Sequence, residues 1–360
     1  MSTDSVTLNS NAIVSSGGRY LPTLDGWRAI AIVGVMICHA THAVFSPNGT
    51  SPNPIWFAIT RFGALGVDIF FVLSGFLITS KLLEEWQSSG TIQLKAFYVR
   101  RCFRILPAYF TYLLVVGVLG LLGIFSISGQ EWFSCAFFWR NYLPAHAAAS
   151  GYTGHFWTLA VEEHFYLVWP SLLLLAGRTK AWRMAALIAL VVAAWRMIDF
   201  RWQLTSWAIA NDVSFYQRTD IRFDSLAVGG LFALMPRSTP LIRLVTRHGA
   251  WCFGAAACAF VGSLLMAIPA KLLLQAVMIA IMISCSVAGH PRALVRIMEW
   301  RQIRFVGRLS YSLYLWQTVF LSIGGYEDSP PLGRWQQLPL SLFGVLPALC
   351  WPATTGLKLR

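Results

Sequence analysis

The sequence has few charged residues and still fewer acidic ones. Only 12% of its 360 residues are Asp, Glu, Lys or Arg, whereas 56% are hydrophobic; ordinary soluble domains carry about 25% charged residues. So few charges cannot cover the surface of a globule of this length, which excludes a soluble fold. The composition predicts an all-α polytopic membrane protein, whose length reflects the number of its spans.

Acidic residues are too scarce to balance the basic ones. The chain has 15 Asp and Glu against 28 Lys and Arg, a net charge of +13. In a soluble protein this surplus would indicate nucleic-acid binding. In a membrane protein it is typical of cytoplasmic loops under the positive-inside rule, and it also attracts anionic lipids or an anionic cofactor. We therefore expect no nucleic acid among the partners.

The sequence also lacks a disulfide or metal-binding cysteine pattern and a cleavable signal peptide. The seven cysteines are odd in number and include no C-x-x-C pair, so we interpret them as small apolar residues and expect neither disulfides nor a metal site. No cleavable signal peptide is evident. Residues 1–20 are polar and predict a disordered tail; residues 21–356 are the predicted transmembrane domain.

Apolar runs long enough to cross a bilayer recur along the chain. A span needs about 20 mostly apolar residues, which predicts about ten spans in a single bundle: 27–46, 63–81, 105–125, 156–176, 182–198, 222–236, 251–268, 270–288, 304–325 and 338–355. The run 131–143 is too short and indicates an interfacial or re-entrant segment. Lys and Arg collect in every second loop, which predicts that both termini are cytoplasmic.

The first predicted span carries Arg28 near its start and His39 deep inside. Eleven residues place them about 20° past three full turns, so that they share one helix face about 16 Å apart. Ionisable groups inside a membrane are functional hypotheses by default. A boundary arginine paired with Asp25 and a helix-packing histidine are the structural alternatives.

The segment "FYVRRCFRILPAYF" (97–110) is the strongest basic cluster, with Arg100, Arg101 and Arg104 entering a span. Arginine forks match phosphate geometry bidentately. This cluster therefore favours a phosphate-bearing ligand on the cytoplasmic side, although positive-inside charge alone would also explain it.

Carboxylates occur inside two predicted spans. Asp68 lies in "GVDIFFVLSGFLIT" (66–79), where it could orient a histidine or pair with Arg61. Glu162 and Glu163 lie in "HFWTLAVEEHFYLVWP" (155–170), seven or eight residues after His155. A role beside a catalytic histidine and a buried hydrogen-bonded carboxylate are both open for Glu162, and the spacing fits no metal motif.

Three further residues are candidates for binding a sugar. Arg222 and Asp224, in "TDIRFDSLAVGG" (219–230), begin the sixth span at its outer end and could bind a sugar or form a charge pair. Trp157 belongs to an aromatic set that suits stacking on sugar rings, although interfacial aromatic belts also explain that set.

Six motifs together resemble the integral-membrane acyltransferase type 3 family. They occur in the family's order within residues 22–320: R-x₁₀-H at Arg28 and His39, "GVDIFFVLSGFLIT", "FYVRRCFRILP", "WTLAVEEHFYLVWP", "IRFDSLAVG" and "FVGRLSYSLYLW". The resemblance implies a ten-helix enzyme that moves an acyl group, usually acetyl, from cytoplasmic acyl-CoA to a hydroxyl of a cell-surface or exported carbohydrate. It also implies that Arg28 and His39 are essential, and that Arg101 and Arg104 match the family's R-x-x-R.

The sequence departs from the family's pattern in two ways. Many members have histidine after "YLW", where this chain has Gln317, so no ionisable role is assigned there. Many also carry a C-terminal soluble domain for the second half of transfer. We expect none here, so transfer would finish within the membrane domain or use a partner.

The resemblance and the residues together suggest a mechanism. Arg28, Arg100, Arg101 and Arg104 would bind the phosphates of acetyl-CoA, a co-substrate rather than a permanent cofactor. His39 would act as general base or as transient acyl carrier, with Glu162 or Asp68 fixing its tautomer. The expected location is a bacterial inner (plasma) membrane, and the expected partners are acyl-CoA, a carbohydrate acceptor, lipids and polysaccharide export proteins.

Two other functions use the same residue types. A proton-coupled transporter also needs intramembrane His, Glu and Asp, although the chain shows no inverted repeat. A non-catalytic component of polysaccharide export is the third possibility. Acyl-CoA turnover separates the enzyme from both.

Overall fold

The protein is described here by a computed structural model covering residues 20–45, 63, 65–124, 126–147, 151–210, 213–236, 238–266 and 268–321. Across these ranges the regular structure is helical, without a strand. The α-helices are α1 (Pro22–Phe45), α2 (Gly66–Ser89), α3 (Leu94–Leu121), α4 (Gly129–Ala136), α5 (Phe156–Trp202), α6 (Ser206–Ala210), α7 (Thr219–Leu234), α8 (Pro240–Arg247), α9 (Gly249–Ser263), α10 (Lys271–Val287), α11 (Arg292–Met298) and α12 (Arg301–Phe320). Short 3₁₀ turns occur at Arg140–Tyr142, Ala145–Ala147, Gly151–Thr153 and Phe215–Gln217.

Four helical segments are long and apolar enough to cross a membrane by themselves. They are Pro22–Ala40 in α1, α2, α3 and the region Gly151–Trp202, which contains α5. Two bent pairs, α8 with α9 at 107° and α10 with α11 at 88°, raise the number to six if each pair is one span. The described residues therefore support four to six spans by length and composition, fewer than the ten predicted.

Two predicted spans fall short of this criterion for identifiable reasons. α7 has only 16 residues and most of them are buried. α12 carries Arg301, Arg304 and Arg308 and a face of serine and tyrosine hydroxyls. Helices enclosed by other helices need no continuous apolar surface. The tenth predicted span, 338–355, lies outside the described residues, as does the tail before Tyr20.

A glycine separates the predicted fourth and fifth spans. α5 runs without a gap through both, but Gly177 has φ 71° and ψ 157°, outside the helical region. Only glycine adopts such a backbone conformation at little cost. The two predicted spans are thus the helical segments before and after Gly177.

Glycines allow the central helices to approach closely. A Cβ built on Gly75 of α2 would lie 1.9 Å from the Leu226 carbonyl oxygen of α7, and one on Gly229 of α7 would lie 2.0 Å from that of Val72. A Cβ on Gly307 of α12 would lie 1.9 Å from the Asp25 oxygen of α1. These contacts bring α2 against α7 and α12 against α1.

The run 131–143 forms the short α4 and a 3₁₀ turn, not a span. Ser128 caps α4 by accepting a hydrogen bond from the Glu131 backbone N–H at 3.0 Å. Phe133 and Phe137, at α4 and its C-cap, are exposed. All six cysteines in the described ranges are free thiols.

Candidate active site

Arg28 and His39 lie on α1, whose first turn also contains Asp25. An Arg28 nitrogen lies 3.7 Å from an Asp25 carboxylate oxygen, so the predicted pair forms. The hydroxyl of Tyr20 donates a hydrogen bond to the same carboxylate. His39 is half-buried, three turns further along the helix. The two predicted residues therefore mark opposite ends of one stretch of α1.

Arg28, Arg101 and Arg104 form an arginine cluster between α1 and α3. Arg104 interacts electrostatically with both other guanidinium groups. Arg101 lies over the ring of Tyr166 in α5, with 3.7 Å between its guanidinium carbon and the ring centre. The three cations repel one another, which makes the arginine cluster a receptive place for an anion.

Arg100 is separated from the arginine cluster. Its guanidinium donates to the Glu85 carboxylate at 2.8 Å, and 58% of its side chain is exposed. Glu85 lies near the C-terminal end of α2 and also accepts a hydrogen bond from the Gln93 backbone N–H at 3.1 Å. Of the three arginines predicted to bind phosphates from α3, two face the site and this one joins α2 to α3.

Glu162, Glu163, Tyr166 and Tyr311 form a carboxylate layer next to the arginine cluster. Glu162 accepts hydrogen bonds from the Ser74 hydroxyl at 2.7 Å and from the Tyr166 hydroxyl at 3.3 Å. Tyr311 donates to the Ile105 carbonyl at 3.1 Å. Arg101 interacts electrostatically with both glutamates. The buried carboxylates therefore have hydrogen-bond donors and a nearby cation, which the membrane interior requires.

The other end of the site contains a second histidine. His155 is 4% exposed and interacts electrostatically with His39. Around it lie Tyr112 from α3 and Tyr314 and Thr318 from α12, with the Tyr314 hydroxyl donating to the His155 carbonyl at 3.1 Å. We call this group, with His39, the histidine end. Sequence reasoning assigned His155 no role, although the hydroxyl-bearing residues Tyr311, Tyr314 and Thr318 recur at helical spacing along α12.

Three helices run between the arginine cluster or the carboxylate layer and the histidine end. α1 leads from Arg28 to His39, and α12 leads from Tyr311 to Thr318. α5 runs the opposite way, from His155 to Tyr166, also eleven residues. Eleven helical residues span about 16 Å. Together these residues form a polar column through the helical bundle.

Asp68 and Arg222 form a buried ion pair between α2 and α7. The Arg222 guanidinium carbon also lies 5.1 Å from the Phe71 ring centre and 6.0 Å from that of Trp157. The structure thus brings together three predicted site residues, Asp68, Arg222 and Trp157. Arg61, the other partner considered for Asp68, lies outside the described residues.

Asp224 pairs with Arg196, not with Arg222. The Arg196 guanidinium donates to Asp224 at 2.8 Å and to the Ile221 and Pro269 carbonyls at 2.7 and 3.0 Å. Both side chains of the pair are 0% exposed. Among the described residues Arg222 and Asp224 form no direct ion pair with each other, although the two still interact electrostatically. On α7 their side chains turn to different helices, α2 and α5.

Hydrogen bonds join the turn Arg140–Tyr142 to the start of α7. Asn141 donates to the Thr219 hydroxyl at 2.8 Å, and His164 of α5 contacts the same hydroxyl at 2.7 Å. Tyr142 donates to Asp220 at 3.2 Å. Burial raises the pKa of the Tyr142 phenol, and the Asp220 carboxylate raises it further. These bonds hold the turn Arg140–Tyr142, α5 and α7 together near the histidine end.

The sequence matches one protein family and several curated relatives. Residues 21–355 match the family model described as an acyltransferase domain. The chain is 28% identical over 333 residues to the peptidoglycan O-acetyltransferase OatA of Listeria monocytogenes, covering 85% of this chain and 50% of that protein. It is 29% identical over 351 residues to YrhL of Bacillus subtilis, named as a candidate peptidoglycan O-acetyltransferase, covering 87% and 51%.

A third relative is SACOL0978 of Staphylococcus aureus, named as a candidate O-acetyltransferase, which is 34% identical over 240 residues, 60% of this chain and 35% of that protein. The chain spans about half the length of these relatives or less, and no solved structure matches it. The family match covers nearly the whole sequence, including every motif quoted above. The chain belongs to the acyltransferase type 3 family.

Proposed function

We propose that the protein transfers an acyl group, acetyl in the first instance, from cytoplasmic acyl-CoA to a hydroxyl of a cell-envelope carbohydrate. The polar column carries this proposal, because it joins an anion site at one end to two imidazoles at the other. Family membership supports acyl transfer as the reaction type. The donor, the acceptor and the catalytic residues are our inference.

The arginine cluster is the proposed site for the phosphates of acyl-CoA. Arg101 and Arg104 come from one helix and Arg28 from another. Their guanidinium groups can therefore bind an anion from two sides. Charge-assisted, bidentate contacts make arginine well suited to phosphate. The bound phosphates would also relieve the repulsion among the three cations. Arg100, held by Glu85, contributes little to this site.

The long arm of acyl-CoA would then extend along the polar column and bring the thioester to His39. In the reaction the acceptor oxygen bonds to the acyl carbon, the carbon–sulfur bond breaks, and the hydroxyl proton ends on the sulfur of CoA. His39 moves this proton or holds the acyl group transiently. Glu162, fixed by Ser74 and Tyr166, stabilises positive charge in the column.

Peptidoglycan is the first acceptor to test, because the L. monocytogenes relative is named for its O-acetylation. The acceptor sugar, with its hydroxyl still free, would approach from the histidine end, which the positive-inside rule places away from the cytoplasm. Asp68 of α2, Arg222 of α7 and Trp157 of α5 pack beside this end. A sugar there would stack on the indole ring while the ion pair stays intact.

Thiol release from acetyl-CoA by the purified full chain in nanodiscs tests the proposal. Peptidoglycan fragments, exopolysaccharide oligosaccharides and glycolipids would be supplied in turn, and acetylated products identified by mass. His39→Ala should abolish transfer, whereas His248→Ala, at an exposed histidine, should leave it unchanged. A wild-type protein that neither binds acetyl-CoA nor releases its thiol would overturn the proposal. Solute flux into liposomes without acyl-CoA would instead favour a transporter.

A further inference from the structure

His155 is held rigidly at the histidine end. It immediately precedes α5, and aromatic rings enclose its imidazole: the centroid of Tyr112 lies at 5.5 Å, that of Tyr314 at 5.4 Å and that of Phe156 at 4.8 Å. Its Nδ1 lies 3.3 Å from the Thr318 hydroxyl oxygen. A ring enclosed in this way cannot turn over without moving three helices. Its two nitrogens therefore have fixed and different surroundings.

The surrounding oxygens determine which nitrogen carries the proton. Thr318 lies 2.8 Å from the Tyr112 hydroxyl and 3.1 Å from the Tyr152 carbonyl, and Tyr112 lies 2.6 Å from the same carbonyl. These three oxygens lie so close together that they repel unless a proton lies between them. The hydroxyl protons of Tyr112 and Thr318 are therefore both used among the three oxygens. Thr318 therefore accepts a hydrogen bond from Nδ1–H of His155. The Leu315 carbonyl, which can only accept, also faces the imidazole.

In this neutral tautomer of His155 the proton is on Nδ1, so Nε2 has a lone pair and no proton. This atom is buried and has no hydrogen-bond partner among the described residues. Buried polar atoms almost always have a hydrogen-bond partner, so we expect a hydrogen-bond donor to bind Nε2. A hydroxyl group is a donor of the right kind. The one other imidazole in electrostatic contact with it, among the described residues, is His39.

We propose that His155 is a second catalytic histidine, whose Nε2 receives the acceptor hydroxyl and takes its proton. The proposal rests on the acyl-transfer function proposed above. As the hydroxyl oxygen bonds to the acyl carbon, its O–H bond breaks and an N–H bond forms at Nε2. The carbon–sulfur bond breaks, the thiolate takes a proton from the His39 imidazolium, and His155 returns one to His39. The two histidines thus share one proton, and the cycle needs no other reactant.

The groups that face His155 come from four elements. They are His39 on α1, Tyr112 on α3, Arg140 in the 3₁₀ turn, and Tyr314 with Thr318 on α12. Arg140 is engaged with the Thr153 hydroxyl, 3.3 Å from its Nε. No carboxylate has a hydrogen bond to this imidazole in the described part of the chain. His39 is the imidazole among these groups, so we assign it as the proton partner of His155.

His155→Asn separates a catalytic role from a structural one. The asparagine amide nitrogen replaces Nδ1–H toward Thr318 but offers no base in place of Nε2. We expect acetyl-CoA affinity within about twofold of wild type, transfer lowered about 10²–10⁴-fold, and loss of the acidic limb of the pH profile. Transfer within about tenfold of wild type, with an unchanged pH profile, would overturn the proposal.

Two further measurements keep the proposal testable if His155→Asn fails to fold. Thr318→Val should lower kcat with little change in the KM for acetyl-CoA, and Thr318→Ser should restore it. In ¹⁵N-histidine spectra of the intact protein, His155 should be the Nδ1–H tautomer. The Nε2–H tautomer would overturn this proposal while leaving acyl transfer standing, whereas a wild type inactive with every acceptor would overturn both.

Discussion

The Arg101 guanidinium carbon lies 3.7 Å from the centre of the Tyr166 ring, and the Tyr166 hydroxyl donates to Glu162 at 3.3 Å. One side chain thus touches both the proposed phosphate site and the buried carboxylate. A cation over an aromatic face gains more when both are removed from water. Tyr166 therefore links the arginine cluster to the carboxylate layer.

Tyr166→Phe keeps the ring beneath Arg101 and removes the hydrogen bond to Glu162. We expect acetyl-CoA affinity within about threefold of wild type and transfer lowered by roughly tenfold, the worth of about one hydrogen bond. Tyr166→Leu, which also removes the ring, should weaken acetyl-CoA binding further. Isothermal titration and thiol release measure the two effects. Equal losses of affinity in both variants would contradict the link.

The arginines of α3 should differ in their effect on donor binding. Arg101→Gln removes a guanidinium from the cluster, and we expect the Kd for acetyl-CoA to rise about 10- to 100-fold, the loss of a charge-assisted hydrogen bond. Arg100→Gln should have a much smaller effect, because that side chain is engaged with Glu85. Arg243→Gln, at an exposed position outside the arginine cluster, is the control. Equal effects of Arg100→Gln and Arg101→Gln would refute the assignment.

The Arg196–Asp224 pair should contribute to folding rather than to binding. Asp224→Ala leaves a fully buried guanidinium without its carboxylate, and we expect a loss of about 3–5 kcal/mol in the free energy of unfolding. Glu85→Ala breaks an exposed pair and should cost at most about 1 kcal/mol. Thermal unfolding of both variants in one detergent measures the difference. An Asp224→Ala protein as stable as wild type would contradict the pairing.

Gly75 should tolerate no side chain. Gly75→Ala places a Cβ against the Leu226 carbonyl, and overpacking of this kind costs about 1–3 kcal/mol or more. Gly254→Ala is the matched control, since a Cβ there meets no atom within 4 Å; it should be neutral or stabilising by up to about 1 kcal/mol. Melting temperatures in detergent report both. A similar stability of the two variants would argue against the close crossing of α2 and α7.

The sequence predicted individual helices better than it predicted their relation to a membrane. The helical segments 22–45, 66–89 and 94–121 overlap the predicted spans 27–46, 63–81 and 105–125, because apolar length is a local property. α7 and α12 did not meet the criterion for a span, because enclosed helices can be short or polar. The sequence also did not predict which face of α3 packs against α5. Arg100 and Arg104 are four residues apart and nominally share a face, yet Glu85 of α2 draws Arg100 away.

By itself the sequence determined the helical membrane class, the family and the spacing of Arg28 and His39, since composition, motif order and helical periodicity are all encoded along the chain. Only the tertiary structure decided that Asp68 pairs with Arg222, that Asp224 pairs with Arg196 and that His155 joins His39. These partners are far apart in sequence, and which side chains meet depends on how glycine-mediated crossings rotate each helix against its neighbours.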